Sequence, residues 1–181
     1  HEDELDKYED KLGSFLAQLS GSDLSERDTR EISKLLHDRL SSFMSYQSTA
    51  NDQTIYGALV ERKAVCAGYA AAYQYLMQQA GIPAWKVTGS SIDPASGAAV
   101  GHAWTLVCLD GNWYHTDVTW DDQGSLSNIY YAYLNVTTAQ ITKDHALNPF
   151  FATYLPDCSA TAANYFVKNN GETMTIEEWR R

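Results

Sequence analysis

The dipeptide Asp110-Gly111, set between two apolar, β-rich runs, constrains this chain more than any other feature. Trp104-Thr105-Leu106-Val107-Cys108-Leu109 precedes it, and the run from Trp113 to Trp120 follows. Asp-Gly is a strong signal for a two-residue hairpin turn, because both central residues of a type I′ turn take positive φ. Such a turn fixes the register. Leu109 then opposes Asn112, Trp104 opposes Asp117 and His102 opposes Thr119. Side chains alternate between the two faces of a strand, so His102, Trp104, Leu106, Trp113, His115 and Asp117 share one face. His102 and Asp117 become diagonal neighbours within roughly 7–8 Å, close enough for a His–Asp hydrogen bond. A three-residue loop would place them on opposite faces, so the inference depends on the turn.

Upstream, residues 66–80 read as a helix. Tyr69, Tyr73, Leu76, Met77 and Ala80 fall at the three-and-four spacing of one buried stripe. Gly81 suits the position just past the helix end, and Pro83 blocks simple continuation. Cys66 therefore sits at the helix N-terminus, where unpaired N–H groups and the positive end of the dipole favour a thiolate. The same N–H groups supply part of an oxyanion hole. Taken alone, a cysteine on an Ala-rich helix reads equally as an inert core residue. A histidine and a carboxylate on one hairpin face change that reading. An imidazole takes the thiol proton, and a carboxylate fixes its tautomer and supports the imidazolium.

The chain resembles the transglutaminase-like family, whose core resembles that of the papain-type cysteine proteases. The resemblance rests on Tyr56-Gly57-Ala58-Leu59-Val60 before Val65-Cys66-Ala67-Gly68-Tyr69-Ala70, on Gly101-His102-Ala103-Trp104, and on Trp113-Tyr114-His115-Thr116-Asp117-Val118-Thr119-Trp120-Asp121. The motifs occur in order and span residues 56–122. The resemblance implies Cys66 as nucleophile, His102 as general base and acid, and Asp117 as the orienting carboxylate. It further implies that Tyr56, an aromatic position upstream of the nucleophile, lines the site or helps hold the oxyanion. The family contains transglutaminases, peptidases, amidases and members without known activity, so it specifies the chemistry more closely than the substrate.

The expected fold is α+β, a papain-like transglutaminase core with the nucleophile helix packed on an antiparallel sheet and helices at the N-terminal end. Residues 1–50 read as an N-terminal helical extension and 51–181 as the catalytic core, together one compact unit. The expected reaction is thiol-dependent acyl transfer at an amide. The expected partner is a peptide or protein, including cell-envelope peptide. Water as acceptor makes a peptidase or amidase, the preferred reading, and a lysine amine makes a crosslinking transglutaminase. A non-catalytic binding module on the same fold is the reading from another class.

A net charge of −10 and a pI near 4.8 argue against nucleic-acid binding and against adhesion to anionic membranes. No apolar run is long enough to span a bilayer. The chain opens on His1, so removal of a leader and an extracellular or cell-envelope location are expected. Three cysteines are too few for a disulfide framework. Cys108 and Cys158 either bridge, leaving Cys66 free, or remain as two unpaired thiols. No cofactor is expected. A zinc site from His102, His115 and Asp117 stands as a minor alternative, without metal-binding spacing to announce it.

Elsewhere, residues 2–20 read as an amphipathic helix with an acidic start, and a second helix opens near Ser22 or Ser25 and runs to about Tyr46. Its apolar face is Ile32, Leu35, Leu36, Leu40, Phe43 and Met44. Tyr56 to Val60 reads as a helical turn. Lys63 is either a thiolate-favouring charge or a solvated loop lysine. Ala84 to Gly89 reads as a strand and Ser90 to Val100 as a polar loop forming one lip of a groove. Asp121-Asp122 reads as a solvated turn or a cation site. Ile129 to Leu134 reads as β-like, and Thr137 or Thr138 as the cap of a short helix through Ile141. His115 and His145 read as structural histidines. Asn135-Val136-Thr137 is a glycosylation pattern, and the segments around Leu155 to Cys158 and Asn164 to Phe166 suggest a closing loop and helix.

Overall fold

The structure, a computed structural model, describes residues 28–124 and 129–164 together with Asp10 and Ser14. The helix expected over residues 2–20 and the closing helix beyond Asn164 lie outside the described residues. The second helix, α1 (Thr29–Phe43), starts later than expected. Asp28 displaces the serines as its cap, because its carboxylate accepts a 2.8 Å hydrogen bond from the Arg30 N–H. The helix also ends earlier. Met44 is already extended, and Ser45–Tyr46 forms a short strand, β1, rather than a last helical turn. Strand β1 pairs in parallel with β2 (Lys63–Ala64), which puts Tyr46 beside Ala64, two residues before Cys66. Between them Gly57–Glu61 winds as a single π-helical turn.

Helix α2 (Cys66–Gln79) follows immediately. Its stripe is buried at Tyr69, Tyr73, Leu76 and Met77. It closes with two terminal bonds, Ile82 N–H to the Met77 carbonyl at 2.9 Å and Gly81 N–H to that of Gln78 at 3.0 Å. Its first turn is seated by Gly68, where a Cβ would lie 2.4 Å from the Asp52 carbonyl oxygen and 2.6 Å from the Ala64 Cβ. No side chain fits there.

A four-stranded sheet carries the rest, in the order β5-β4-β3-β6, with β3 (Ala84–Ile92), β4 (Ala99–Leu109), β5 (Asn112–Thr116) and β6 (His145–Leu147) all antiparallel to their neighbours. The hairpin turn is the two-residue one. Asp110 and Gly111 have φ of 50° and 81°, and Leu109 opposes Asn112. The loop expected over Ser90 to Val100 is shorter, because both flanks continue as strand and only residues 93–98 remain outside.

One face of the sheet packs on the helices. Ile32, Leu36 and Leu40 of α1, the α2 stripe, and Ala84, Val107, Leu109 and Tyr114 form one apolar cluster. Each fully buried large side chain there contributes about 1.5–3 kcal/mol. The other face buries Val87, Trp104 and Leu106 beneath Val136, Ile141 and Cys158. The segment covering it contains α4 (Thr138–Ile141), opened by a capping box between Thr137 and Gln140, and α5 (Pro149–Ala152) after β6.

Three further expectations need correction. The run from Trp113 to Trp120 is not one strand, because the chain leaves β5 after Thr116 and turns into the helix α3 (Val118–Asp121), with Asp117 as its cap. Trp104–Asp117 and His102–Thr119 are therefore not strand partners. Ile129 to Leu134 forms no strand, and only Val136 bridges to His115. Asn135 is wholly buried, its Oδ1 accepting from Ser33 and Thr116, so the folded chain offers no glycan acceptor there. The three cysteines are free, which selects the unpaired alternative for Cys108 and Cys158.

Candidate active site

Val65, the residue before α2, has no side-chain acceptor with which to cap the helix. The donors of the first turn are left for other partners. Half-buried Cys66 uses one of them, and its sulfur also takes the backbone N–H of Ala103 from β4. Burial pushes the Cys66 thiol up. The hydrogen bond and charge of His102, together with the Ala103 and Ala67 N–H groups, outweigh it and hold the thiol below its ordinary value. Cys158 shows the contrast: burial without a cationic partner pushes its thiol up to about 11.

His102 stands on β4 with one ring edge toward Cys66 and the other toward Asp117, where Nε2–H donates to Oδ2 at 2.6 Å. Burial opposes its charge. The bonds to Asp117 and Cys66 more than offset that and raise it to about 9. Trp104 and Trp120 flank the ring at centroid distances of 5.9 and 6.0 Å and fix its plane. Asp117 is buried. Burial pushes its carboxyl up, but the bonds from His102 and His145 hold it below the usual carboxylate range. Asp117 is in place because it is also a helix cap, its Oδ1 accepting the Trp120 N–H at 3.2 Å. The strand break that removes it from the ladder is what aims it at His102.

These groups open onto a cavity of about 520 Å³. Cys66 and His102 form its floor, Val100, Gly101, Asp93 and Pro94 one lip, and Trp120 and Tyr133 another wall. The loop before His102 thus borders the groove, as its position suggested. Tyr46 lines the cavity and Tyr56 does not. The Tyr46 hydroxyl takes the Cys66 backbone N–H, and burial and then the Cys66 charge raise it from its ordinary value, so it keeps its proton. Nothing local in the sequence marks Tyr46, since a strand pairing across 18 positions brings it there.

His145 is the other residue that sequence reading undervalued. Its Nε2 lies 2.8 Å from the same Asp117 oxygen that His102 uses. His102, Asp117 and His145 each bring one ligand-capable atom within 4.8 Å of the others. Those atoms are engaged in hydrogen bonds to one another. His115 does not join them. Its Nδ1 accepts from the Trp104 indole at 3.0 Å and its Nε2 meets Thr138 Oγ1 at 3.1 Å. Burial and the His145 charge push it down to about 4, as suits a neutral structural histidine. Asp121-Asp122 is not a solvated turn: Asp121 is buried against His37, and Asp122 accepts from the Tyr69 hydroxyl at 2.6 Å.

Among solved structures, a TGase aligns at 19% identity with a TM-score of 0.48, over 63% of this chain and 32% of its own. The periplasmic domain of TgpA from Pseudomonas aeruginosa aligns at 23% identity and a TM-score of 0.43, over 63% of this chain and 47% of its own. The NAT3 arylamine N-acetyltransferase of Bacillus cereus, whose structure reveals a Cys-His-Glu catalytic triad, aligns at 12% identity and 0.41, over 51% and 42%. The chain spans less than half the length of each. Among curated proteins no sequence matches. No helix among the described residues is long and apolar enough to cross a membrane. The family model of the transglutaminase-like superfamily matches residues 18–118, a span that holds Cys66, His102 and Asp117. With the helix that carries Cys66 packed on an antiparallel sheet in the papain-like manner, this chain belongs to the transglutaminase-like superfamily.

Proposed function

We propose that the chain carries out thiol-dependent acyl transfer at amide bonds, acting as a cysteine peptidase or amidase on peptide substrates, including those of the cell envelope. The observation that carries this reading is a helix-terminal thiol held low by a histidine whose other nitrogen is bound to a buried carboxylate, with the thiol and the imidazole both lining an open cavity. The Cys66 thiolate attacks the amide carbonyl. The oxyanion that forms is met by the Tyr46 hydroxyl and by the Cys66 backbone N–H, which leaves the Tyr46 oxygen it is bonded to in the resting site. His102, protonated by the thiol, gives its proton to the departing amine, and an acyl-thioester remains. Asp117 keeps the imidazole oriented and supports its charge. Water then attacks the thioester with His102 as base and regenerates the thiol. A primary amine in place of water would give crosslinking, and the site's chemistry accommodates both.

The test is the pH dependence of iodoacetamide alkylation, followed per cysteine by mass spectrometry, in the parent and in His102→Ala. Cys66 should react from well below its ordinary pKa of about 9, and far ahead of Cys158. Loss of His102 should raise its apparent pKa toward the ordinary value, because the hydrogen bond and charge that hold it low are gone. A Cys66 that titrates normally and ignores His102 would overturn the catalytic reading and leave a binding module. Once the ion pair is established, incubating an acyl-thioester donor with and without a lysine-like amine separates hydrolysis from transfer.

A further inference from the structure

We propose that His145 is a positioning residue of this site, clamping the Asp117 carboxylate so that it can orient His102. The proposal rests on the triad reading above. Asp117 Oδ2 accepts from His102 Nε2 at 2.6 Å and from His145 Nε2 at 2.8 Å, while Oδ1 holds the Trp120 N–H at 3.2 Å. Three donors in different directions leave the carboxylate no freedom to rotate. With His145 removed, one bond to His102 and the cap remain, and the carboxylate can swing about them.

His145 is itself held in one orientation. Its ring packs against Trp104 at 5.0 Å, Trp120 at 4.6 Å and Tyr133 at 5.4 Å. Its Nδ1 lies 2.6 Å from Asp144 Oδ1, and the Tyr133 hydroxyl donates to Asp144 Oδ2 at 2.5 Å. Asp144 thus stands to His145 as Asp117 stands to His102, and keeps the Nε2 proton pointed at the shared carboxylate. The ionisable groups facing His145 are Asp117 from the β5–α3 junction, Asp144 beside it, His102 from β4, His115 from β5 and the Tyr133 phenol. Tyr133 also walls the cavity, so the chain of bonds runs from the substrate space back to the base.

The backbone is shaped for this contact. His145 opens β6 opposite Ser91 of β3, and Gly89 of β3 pairs with Leu147 at the other end of β6. A Cβ on Gly89 would lie 2.0 Å from the Ala146 carbonyl oxygen. Only glycine lets β6 come near enough to carry His145 onto Asp117.

The experiment compares His145→Gln, His145→Asn and His145→Leu by the pH profile of Cys66 alkylation, with unfolding midpoints recorded alongside. A glutamine amide reaches the position of Nε2 and can donate to Asp117, whereas an asparagine amide reaches only that of Nδ1. The Gln variant should keep the parent profile. The Asn and Leu variants should raise the apparent pKa of Cys66 and slow labelling at neutral pH about tenfold, the change in thiolate fraction that one pKa unit makes. A packing role would damage Gln and Asn alike. Equal profiles for Gln and Asn, or an Asn variant nearer the parent, overturn the proposal even if the Leu variant does not fold. His102→Ala in the same series separates the two readings. If it leaves Cys66 unchanged the triad reading fails, and if it alone shifts Cys66 only the role of His145 fails.

Discussion

Helix α3 carries a carboxylate at each end, and each meets an imidazole: Asp117 meets His102 at 2.6 Å, and Asp121 meets His37 at 2.8 Å. Both histidines are raised to about 9 against the cost of burial. The difference lies on the far side of each ring. His37 turns its second nitrogen to another carboxylate, Asp38, at 3.0 Å, stacks on Tyr131, and does not line the cavity at Cys66. His102 turns its second nitrogen to a thiol at the floor of one. A His–Asp pair is therefore no mark of a site. What distinguishes the His102 pair is a thiol in place of a second acid, and a cavity on one side.

Removing the nucleophile breaks the comparison most sharply. Cys66→Ala should abolish covalent acylation by an activated ester, read as loss of the mass adduct on the intact protein, while the unfolding midpoint stays close to the parent's. An adduct that persists would move the chemistry to another residue.

The converse break is His37→Gln. It leaves Asp121 buried without its cationic partner, and breaking a buried pair by one member costs about 3–5 kcal/mol. Urea unfolding should show the loss, while the apparent pKa of Cys66 in the folded variant should match the parent's. A variant as stable as the parent would mean that His37 is not what compensates the burial of Asp121.

The pH dependence of stability isolates what the His37 pair contributes to the fold. His37 is raised from 6.5 to about 9. Its contribution is complete below pH 6.5, erodes as the pH rises and is gone above about 9, and it amounts to something on the order of 3 kcal/mol. Burial pushes Asp121 up to about 6 even with His37 beside it, so the stabilising shift belongs to the histidine. The parent should lose stability between pH 6.5 and 9.5. His37→Gln should lose less over that window, keeping only the share that His102 contributes. Parallel curves for the two proteins would remove His37 from this account.

The contrast also explains what could be read from the residues alone. Cys66 was legible because a helix start is a local signal, an Ala-rich stripe closed by Gly81 and Pro83. The register of β4 and β5 was legible because Asp110-Gly111 strongly favours a two-residue turn. The path of the chain after Thr116 was not, because Asp117 reads equally well as a strand residue and as a helix cap, and the cap prevailed through its bond to the Trp120 N–H. Tyr46 and His145 were hidden for a different reason. Each lies on a short strand that pairs with one distant in sequence, β1 with β2 and β6 with β3, and strands as short as β1 and β6 carry no periodicity. His37 escaped notice because its helix was read for its apolar stripe, while the face bearing Ser33, His37 and Ser41 is buried as well.

The smallest effect, and the one that tests how the thiol is placed, should come from Gly68→Ala. This substitution touches neither His–Asp pair, and a helix interior ordinarily prefers alanine to glycine by about 1 kcal/mol. Here the added methyl would meet the Asp52 carbonyl oxygen at 2.4 Å, and that oxygen already accepts the Val65 N–H at 3.0 Å. The helix start must shift away from the loop that seats it. The overpacking should cost about 1–3 kcal/mol, reversing the usual propensity gain. The shift also carries Cys66 away from the Ala103 N–H and from His102, so its apparent pKa should rise toward the ordinary value. The pH dependence that His37 gives to stability should remain as in the parent. If Gly68→Ala instead stabilises the fold and leaves Cys66 unchanged, the first turn of α2 is free to move, and the low thiol pKa must come from His102 alone.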